Sequence, residues 1–255
     1  MKKSFKPYRD ELFVSTKAGY DMWPGPYGNW GSRKSLMASL DQSLVRMGLD
    51  YVDVFYSHRY DPETPLEETM QALVDIVRQG KALYVGLSRY PADKAEEAYR
   101  YLEARDVHCL LYQGRYNLFD RAPEEEGILG QARAYGVGFI AFSPLAQGLL
   151  TSRYLQGVPE DSRMAQGRFL KREALTEAVL EKIKALDRVA AERGQTLAEM
   201  SLAWVLKDEL VTSVIIGASS VAQLEDNLKA LRKVDFSREE LDRIEAICHT
   251  PDGGQ

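Results

Sequence analysis

Tyr51-Val52-Asp53-Val54-Phe55-Tyr56, followed by Ser57-His58, is the stretch that decides the fold. It is short, β-branched and aromatic, and nearly continuous in apolarity, as a strand covered on both faces is. On either side the apolar spacing changes to three and four. Leu36, Leu40, Leu44 and Met47 line one face of a helix ending near Gly48, and Leu66, Met70, Leu73 and Val77 do the same before Gly80. The alternation continues outward in both directions. Further strand-like runs cover 12–15, 82–87, 109–112, 139–142 and 213–217, and amphipathic stretches cover 95–102, 180–191, 197–206 and 224–231. Ser237-Arg238-Glu239-Glu240 opens a C-terminal helix with capping-box spacing.

Strands alternating with helices make βαβ units and a mainly parallel α/β sheet. The runs give about six strands, whereas a (β/α)₈ barrel needs two more in about this length. Leu12 lies too close to Met1 for another unit before it. The expectation is a six-stranded open sheet or a barrel lacking a quarter of its wall. Residues 1–255 read as a single domain, with no internal repeat and no low-complexity linker. The least regular stretch is 148–172, and a loop that long is functional or disordered.

Composition narrows the function. Lys+Arg number 33 against 38 Asp+Glu, a net charge of −5, which speaks against nucleic acid as a partner. No apolar run approaches the ~20 residues that span a bilayer, and the basic N-terminus has no apolar core behind it, so it does not read as a signal peptide. The two cysteines have no CxxC spacing, and no metal-ligand pattern is present. The expectation is a cytoplasmic protein acting on a small molecule, without a membrane or nucleic-acid partner, and a possible homo-oligomer.

In parallel sheets, ligands bind past the carboxyl ends of the strands. That rule picks out Lys17, His58, Ser88, Arg89, Gln113, Ser143 and Ser219. Taken singly, a strand-end lysine is most often a solvated end and a histidine a satisfied structural residue. Recurrence along one rim is what favours a binding site. Lys17 and His58 facing one cleft suit polarising a carbonyl or lowering the pKa of a neighbouring acid. Ile216-Gly217-Ala218-Ser219 before a helix is a phosphate seat or a common turn. The aromatic loop Trp23-Pro24-Gly25-Pro26-Tyr27-Gly28 is substrate wall or simple packing. His108 and His249 read as structural or surface residues. No GxGxxG or P-loop pattern appears.

Several segments together carry a resemblance: 15–28 (STKAGYDMWPGPYG), 56–59 (YSHR), 86–90 (GLSRY), 143–150 (SPLAQGLL) and 216–219 (IGAS) with Gln223 and Asn227. Across essentially its whole length the chain resembles the aldo-keto reductases, in the branch related to the potassium-channel β-subunits. The resemblance implies a (β/α)₈ barrel lineage, here an incomplete barrel, and NADP(H)-dependent reduction of short aldehydes of the glyceraldehyde 3-phosphate or methylglyoxal kind. It assigns Lys17 and His58 to catalysis. It assigns Ser88, Arg89, Gln113 and Phe142 to the nicotinamide side, and Ser143, Pro144, Leu145, Gln147, Gly148, Arg153 and Arg163 to the pyrophosphate. Gly217, Ser219, Gln223, Asp226 and Asn227 fall at the adenosine-phosphate end, with Asp226 where relatives carry Glu. Arg59 and Arg89 stand where a substrate phosphate could be attracted, or are salt-bridged rim residues. The family's catalytic Tyr and Asp precede the segment at which this chain starts, so the expectation is an N-terminally truncated domain. Its alternatives to turnover are holding NADP(H) as a binding or scaffolding protein, or being a non-functional fragment.

Overall fold

The computed structural model describes residues 5–155 and 175–249. The strands form a six-stranded sheet in sequential order, β1 (Ser15–Ala18), β2 (Val52–Ser57), β3 (Ala82–Ser88), β4 (Cys109–Arg115), β5 (Gly138–Phe142) and β6 (Ser213–Ile215). The ladders joining β1 to β2, β2 to β3, β3 to β4 and β5 to β6 are parallel. The chain separates into two compact units. The first comprises residues 1–114 and 126–139, and the second comprises 115–125 and 140–255.

In the first unit the sheet is covered by α1 (Arg33–Met47), α2 (Leu66–Arg78), α3 (Ala92–Glu103) and α5 (Ile128–Ala134). Every residue of β2 is buried, which explains its nearly continuous apolarity. Ser32 caps α1 by accepting from the Ser35 amide, and the helix buries Leu36, Leu40 and Leu44. Each such leucine contributes ~1.5–3 kcal/mol. The helix stops because Gly48 adopts the left-handed conformation, φ 66°, and its amide returns to the Leu44 carbonyl at 2.8 Å. On α2, Glu67 and Glu68 in the first turn and Arg78 in the last complement the helix dipole.

The second unit holds α4 (Ala122–Glu125), most of β5, α6 (Glu177–Glu192), α7 (Leu197–Val205), β6, α8 (Val221–Leu228) and the C-terminal α9 (Arg238–Cys248). The capping box expected at α9 is present: Ser237 donates its amide to Glu240 Oε2 at 2.7 Å and Glu240 returns its amide to Ser237 Oγ at 3.1 Å. Two short 3₁₀ turns, Ala146–Gly148 and Ser152–Tyr154, begin the irregular stretch. Its residues 156–172, Arg163 included, lie outside the described residues.

Three expectations need correcting. The first strand covers 15–18, not 12–15. The Asp53 carboxylate accepts the Val14 amide at 2.7 Å, taking the donor a ladder there would need, and Phe13 is left exposed. Strands β1, β3 and β4 run past the apolar runs that announced them, so Lys17, Ser88 and Gln113 lie within strands and not beyond them. Helices α4 and α5, separated by left-handed Gly127, carry too few turns to show a period and were not anticipated.

Candidate functional site

In the first unit, the catalytic candidates are set side by side by backbone pairing. Lys17 is the ladder partner of Tyr56, and the His58 amide continues the pairing past β2 by donating to the Ala18 carbonyl at 2.8 Å. The Lys17 ammonium sits 5.0 Å from the centre of the Tyr56 ring. That ring needs Gly86: a Cβ there would lie 2.5 Å from two of its carbons. Partial burial lowers the Lys17 pKa. His58 is pushed down to about 4, first by burial and then by the positive charges of Lys17, Arg89 and Arg59, so it is a neutral imidazole at physiological pH. Burial, with a smaller contribution from Cys109, raises the Tyr56 phenol and keeps it protonated.

Around His58 the loop after β1 folds back. The Tyr20 ring meets the His58 ring edge-on, with centroids 4.7 Å apart, and Tyr20 Oη accepts from Arg89 Nη1 at 3.0 Å. Arg59 donates from Nε to the Gly19 carbonyl and from Nη2 to Asn29 Oδ1, both at 2.8 Å. Its guanidinium lies 4.2 Å from the Tyr20 ring and 3.6 Å from the Trp30 ring. Beside this loop, buried Asp61 accepts the amides of Gly31 and Glu63 at 2.9 Å. Burial works against its charge, but hydrogen bonds from Thr64, Gly31 and Glu63 outweigh that and hold its pKa below the ordinary range. Ser88 and Gln113 are buried ladder partners on β3 and β4. Arg89 follows with φ 53°, a strained value that non-glycine residues seldom adopt outside functional turns.

The second unit contains a cavity of about 680 Å³. Of the residues expected at a cofactor, Phe142, Ser143, Pro144, Leu145, Gln147, Gly148, Arg153, Gly217, Gln223, Asp226 and Asn227 line it. Ser219 lies next to that lining and donates its amide and hydroxyl to Gln223 Oε1 at 2.8 and 3.0 Å. Ser220 is the N-cap of α8. The loop after β5 is strained, with Ser143, Ala146 and Gln147 at φ 53°, 46° and 59°. Asn227 is buried on the lining, and its Nδ2 has no hydrogen-bond partner among the described residues. An orphaned buried amide costs ~1–3 kcal/mol and fits a ligand that brings acceptor oxygens.

Sequence reading missed Thr196, Ala198 and Glu199, which line the same cavity from the start of α7. Their signal was Thr-x-x-Glu, a capping box that the helix also forms, so its second use was hidden. Asn29 and Trp30 were likewise not singled out, because they reach the site from a loop without a period. Among the described residues, no group of three or more His, Cys, Asp or Glu could hold a metal, and no helix is long and apolar enough to cross a membrane.

With this geometry in place, comparison with known proteins is direct. Residues 1–249 match the aldo/keto reductase family. The chain is 53% identical over 257 residues to an L-glyceraldehyde 3-phosphate reductase of Escherichia coli O157:H7, covering 99% of this chain and 74% of that protein. It is 52% identical to the protein of the same description in strain K12, with the same coverage. A probable voltage-gated potassium channel subunit beta of Oryza sativa subsp. japonica is 38% identical over 249 residues, 95% of this chain and 75% of that protein. A lysine and a neutral histidine at the ends of adjacent parallel strands, the family match over residues 1–249 and this degree of identity converge: the chain belongs to the aldo/keto reductase family and is by that membership an oxidoreductase.

Proposed function

We propose that the chain reduces short aldehydes, of the glyceraldehyde 3-phosphate or methylglyoxal kind, using NADP(H). The observation that carries this reading is that strand pairing sets Lys17 and neutral His58 at the neighbouring ends of β1 and β2. The description of the relatives that share about half their residues with the chain supports the substrate class. A bound reduced nicotinamide supplies the hydride. The cavity of the second unit fits the phosphate-bearing part of such a group, since it offers the orphaned Asn227 amide and the Arg153 side chain.

The protein's own residues handle the oxygen. As the carbonyl carbon is reduced, negative charge gathers on its oxygen. The His58 N–H, uncharged and fixed by the strand pairing, donates to that oxygen and sets its direction. The Lys17 ammonium balances the charge, and its burial-lowered pKa lets it release a proton there more readily than a solvated lysine. Restoring the ammonium from solvent completes the cycle.

The test follows NADPH oxidation by the purified chain with a short aldehyde, beside Lys17→Met. Turnover in the parent that falls ~10²–10⁴-fold in Lys17→Met, with NADPH binding retained, is the expected result. Equal rates in the two proteins would refute the assignment of Lys17. NADPH binding without turnover in the parent would leave a cofactor-holding protein.

A further inference from the structure

We propose that Arg59 anchors the phosphate monoester of a short phosphorylated aldehyde, and so sets the preference of this site for anionic substrates. The inference rests on the reductase reading above and adds a residue to it. The Arg59 guanidinium and the His58 imidazole both pack against the Tyr20 ring, which keeps an anion held by Arg59 near the imidazole that meets the carbonyl.

The described arginines divide into those paired with a carboxylate and those, such as Arg46, Arg78, Arg105 and Arg59, whose hydrogen bonds go to neutral groups. Arg9, Arg33, Arg100, Arg115, Arg121, Arg193, Arg238 and Arg243 each pair with a carboxylate. Arg59, half-buried, has no carboxylate partner among the described residues. The acid nearest in sequence, Asp61, spends its oxygens on the amides of Gly31, Glu63 and Thr64. The Arg59 head is nonetheless held in place, by Nε to Gly19, Nη2 to Asn29 Oδ1 and the flanking rings of Tyr20 and Trp30. Nη1 makes no hydrogen bond to a described residue. A pre-set guanidinium with an unused donor is suited to a phosphate oxygen, because little side-chain entropy remains to be lost.

The surroundings reinforce this. Lys17, Arg59 and Arg89 place three positive charges round His58, and all three depress its protonation. This cluster stands in a chain whose net charge is −5. A half-buried charge without a counter-ion is costly, and a dianionic ligand supplies the missing partner.

The experiment compares glyceraldehyde 3-phosphate with unphosphorylated glyceraldehyde in the parent chain, Arg59→Met and Arg59→Lys. NADPH binding is measured by fluorescence, and inorganic phosphate is titrated while the His58 imidazole is observed by NMR. Arg59→Met should raise KM for the phosphorylated aldehyde by roughly 10–100-fold, the weight of a charge-assisted hydrogen bond. The loss for the unphosphorylated aldehyde should be clearly smaller, since it has no phosphate for Arg59 to hold, and NADPH affinity should stay close to the parent's. Arg59→Lys, which keeps the charge and loses the clamp, should recover part of the difference. Inorganic phosphate should shift the parent's His58 signal saturably and leave that of Arg59→Met unmoved.

Equal losses for both aldehydes in both variants would reduce Arg59 to a loop clamp and overturn the proposal. A fall in NADPH affinity would overturn it in favour of the cofactor's phosphate. If the parent reduces neither aldehyde, the reductase reading fails, and the phosphate titration still decides: an Arg59-dependent shift upholds the anion site and no shift overturns it.

Discussion

Gly86→Ala isolates the packing that holds Lys17 in place. The added Cβ would stand 2.5 Å from Cδ1 and Cε1 of Tyr56 and 2.9 Å from the Leu111 carbonyl oxygen. Non-bonded carbons rest at ~3.5–4.0 Å, so the ring must retreat by about 1 Å. It has nowhere to go, because Tyr56 is 1% exposed and the Leu111 oxygen belongs to the neighbouring strand. Overpacking of this kind costs ~1–3 kcal/mol. At about 2–4 °C per kcal/mol for a chain of this size, the melting temperature should fall by roughly 2–12 °C. Calorimetry or thermal circular dichroism measures that directly. Because the Lys17 ammonium rests over the displaced ring, turnover should fall further than the loss of folded protein explains. Replacing Tyr56 by Leu in the Gly86→Ala background removes the clash, so the pair should be less destabilised than the two single changes added together, by ~0.5–3 kcal/mol. Strict additivity, or a Gly86→Ala protein as stable as its parent, would refute the reasoning.

Two further outcomes follow from the structure. The His58 imidazole should titrate near 4 by NMR instead of near the ordinary ~6.5. The unfolded state then binds more protons between those values, so the stability owed to neutral His58 is complete above ~6.5 and is lost as pH falls towards 4. A His58→Asn variant should lack that part of the acid sensitivity, and a midpoint near 6.5 would overturn the assignment. Separately, Val221, Leu224 and Leu228 of α8, with Leu231 just beyond it, expose an apolar stripe at helical spacing, 42–73% accessible. The stripe should drive self-association. Sedimentation velocity should show species heavier than the 28.8 kDa chain that diminish in Leu224→Glu/Leu228→Glu, and a monomer at all concentrations would contradict it.

The sequence by itself determined the element types, because burial imposes periods that side chains must follow. Residues 52–57 are nearly continuous in apolarity since both faces of β2 are buried, and Leu36, Leu40 and Leu44 repeat every four residues since one face of α1 is covered. It also singled out Lys17 and His58 as candidates, being polar residues where apolar strands end. Tertiary structure alone decided the rest. Whether 12–14 join the ladder depended on Asp53, a side chain 39 residues away that took the Val14 amide. Whether Arg59 is a salt-bridged rim residue or a held cation without a counter-ion depended on Asp61 being engaged by three backbone amides. The double role of Thr196 and Glu199, cap and cavity wall, was invisible because one pattern serves both. Periodicity records how much of each residue is buried; which neighbour buries it, and which polar group it satisfies, is settled only when distant segments meet.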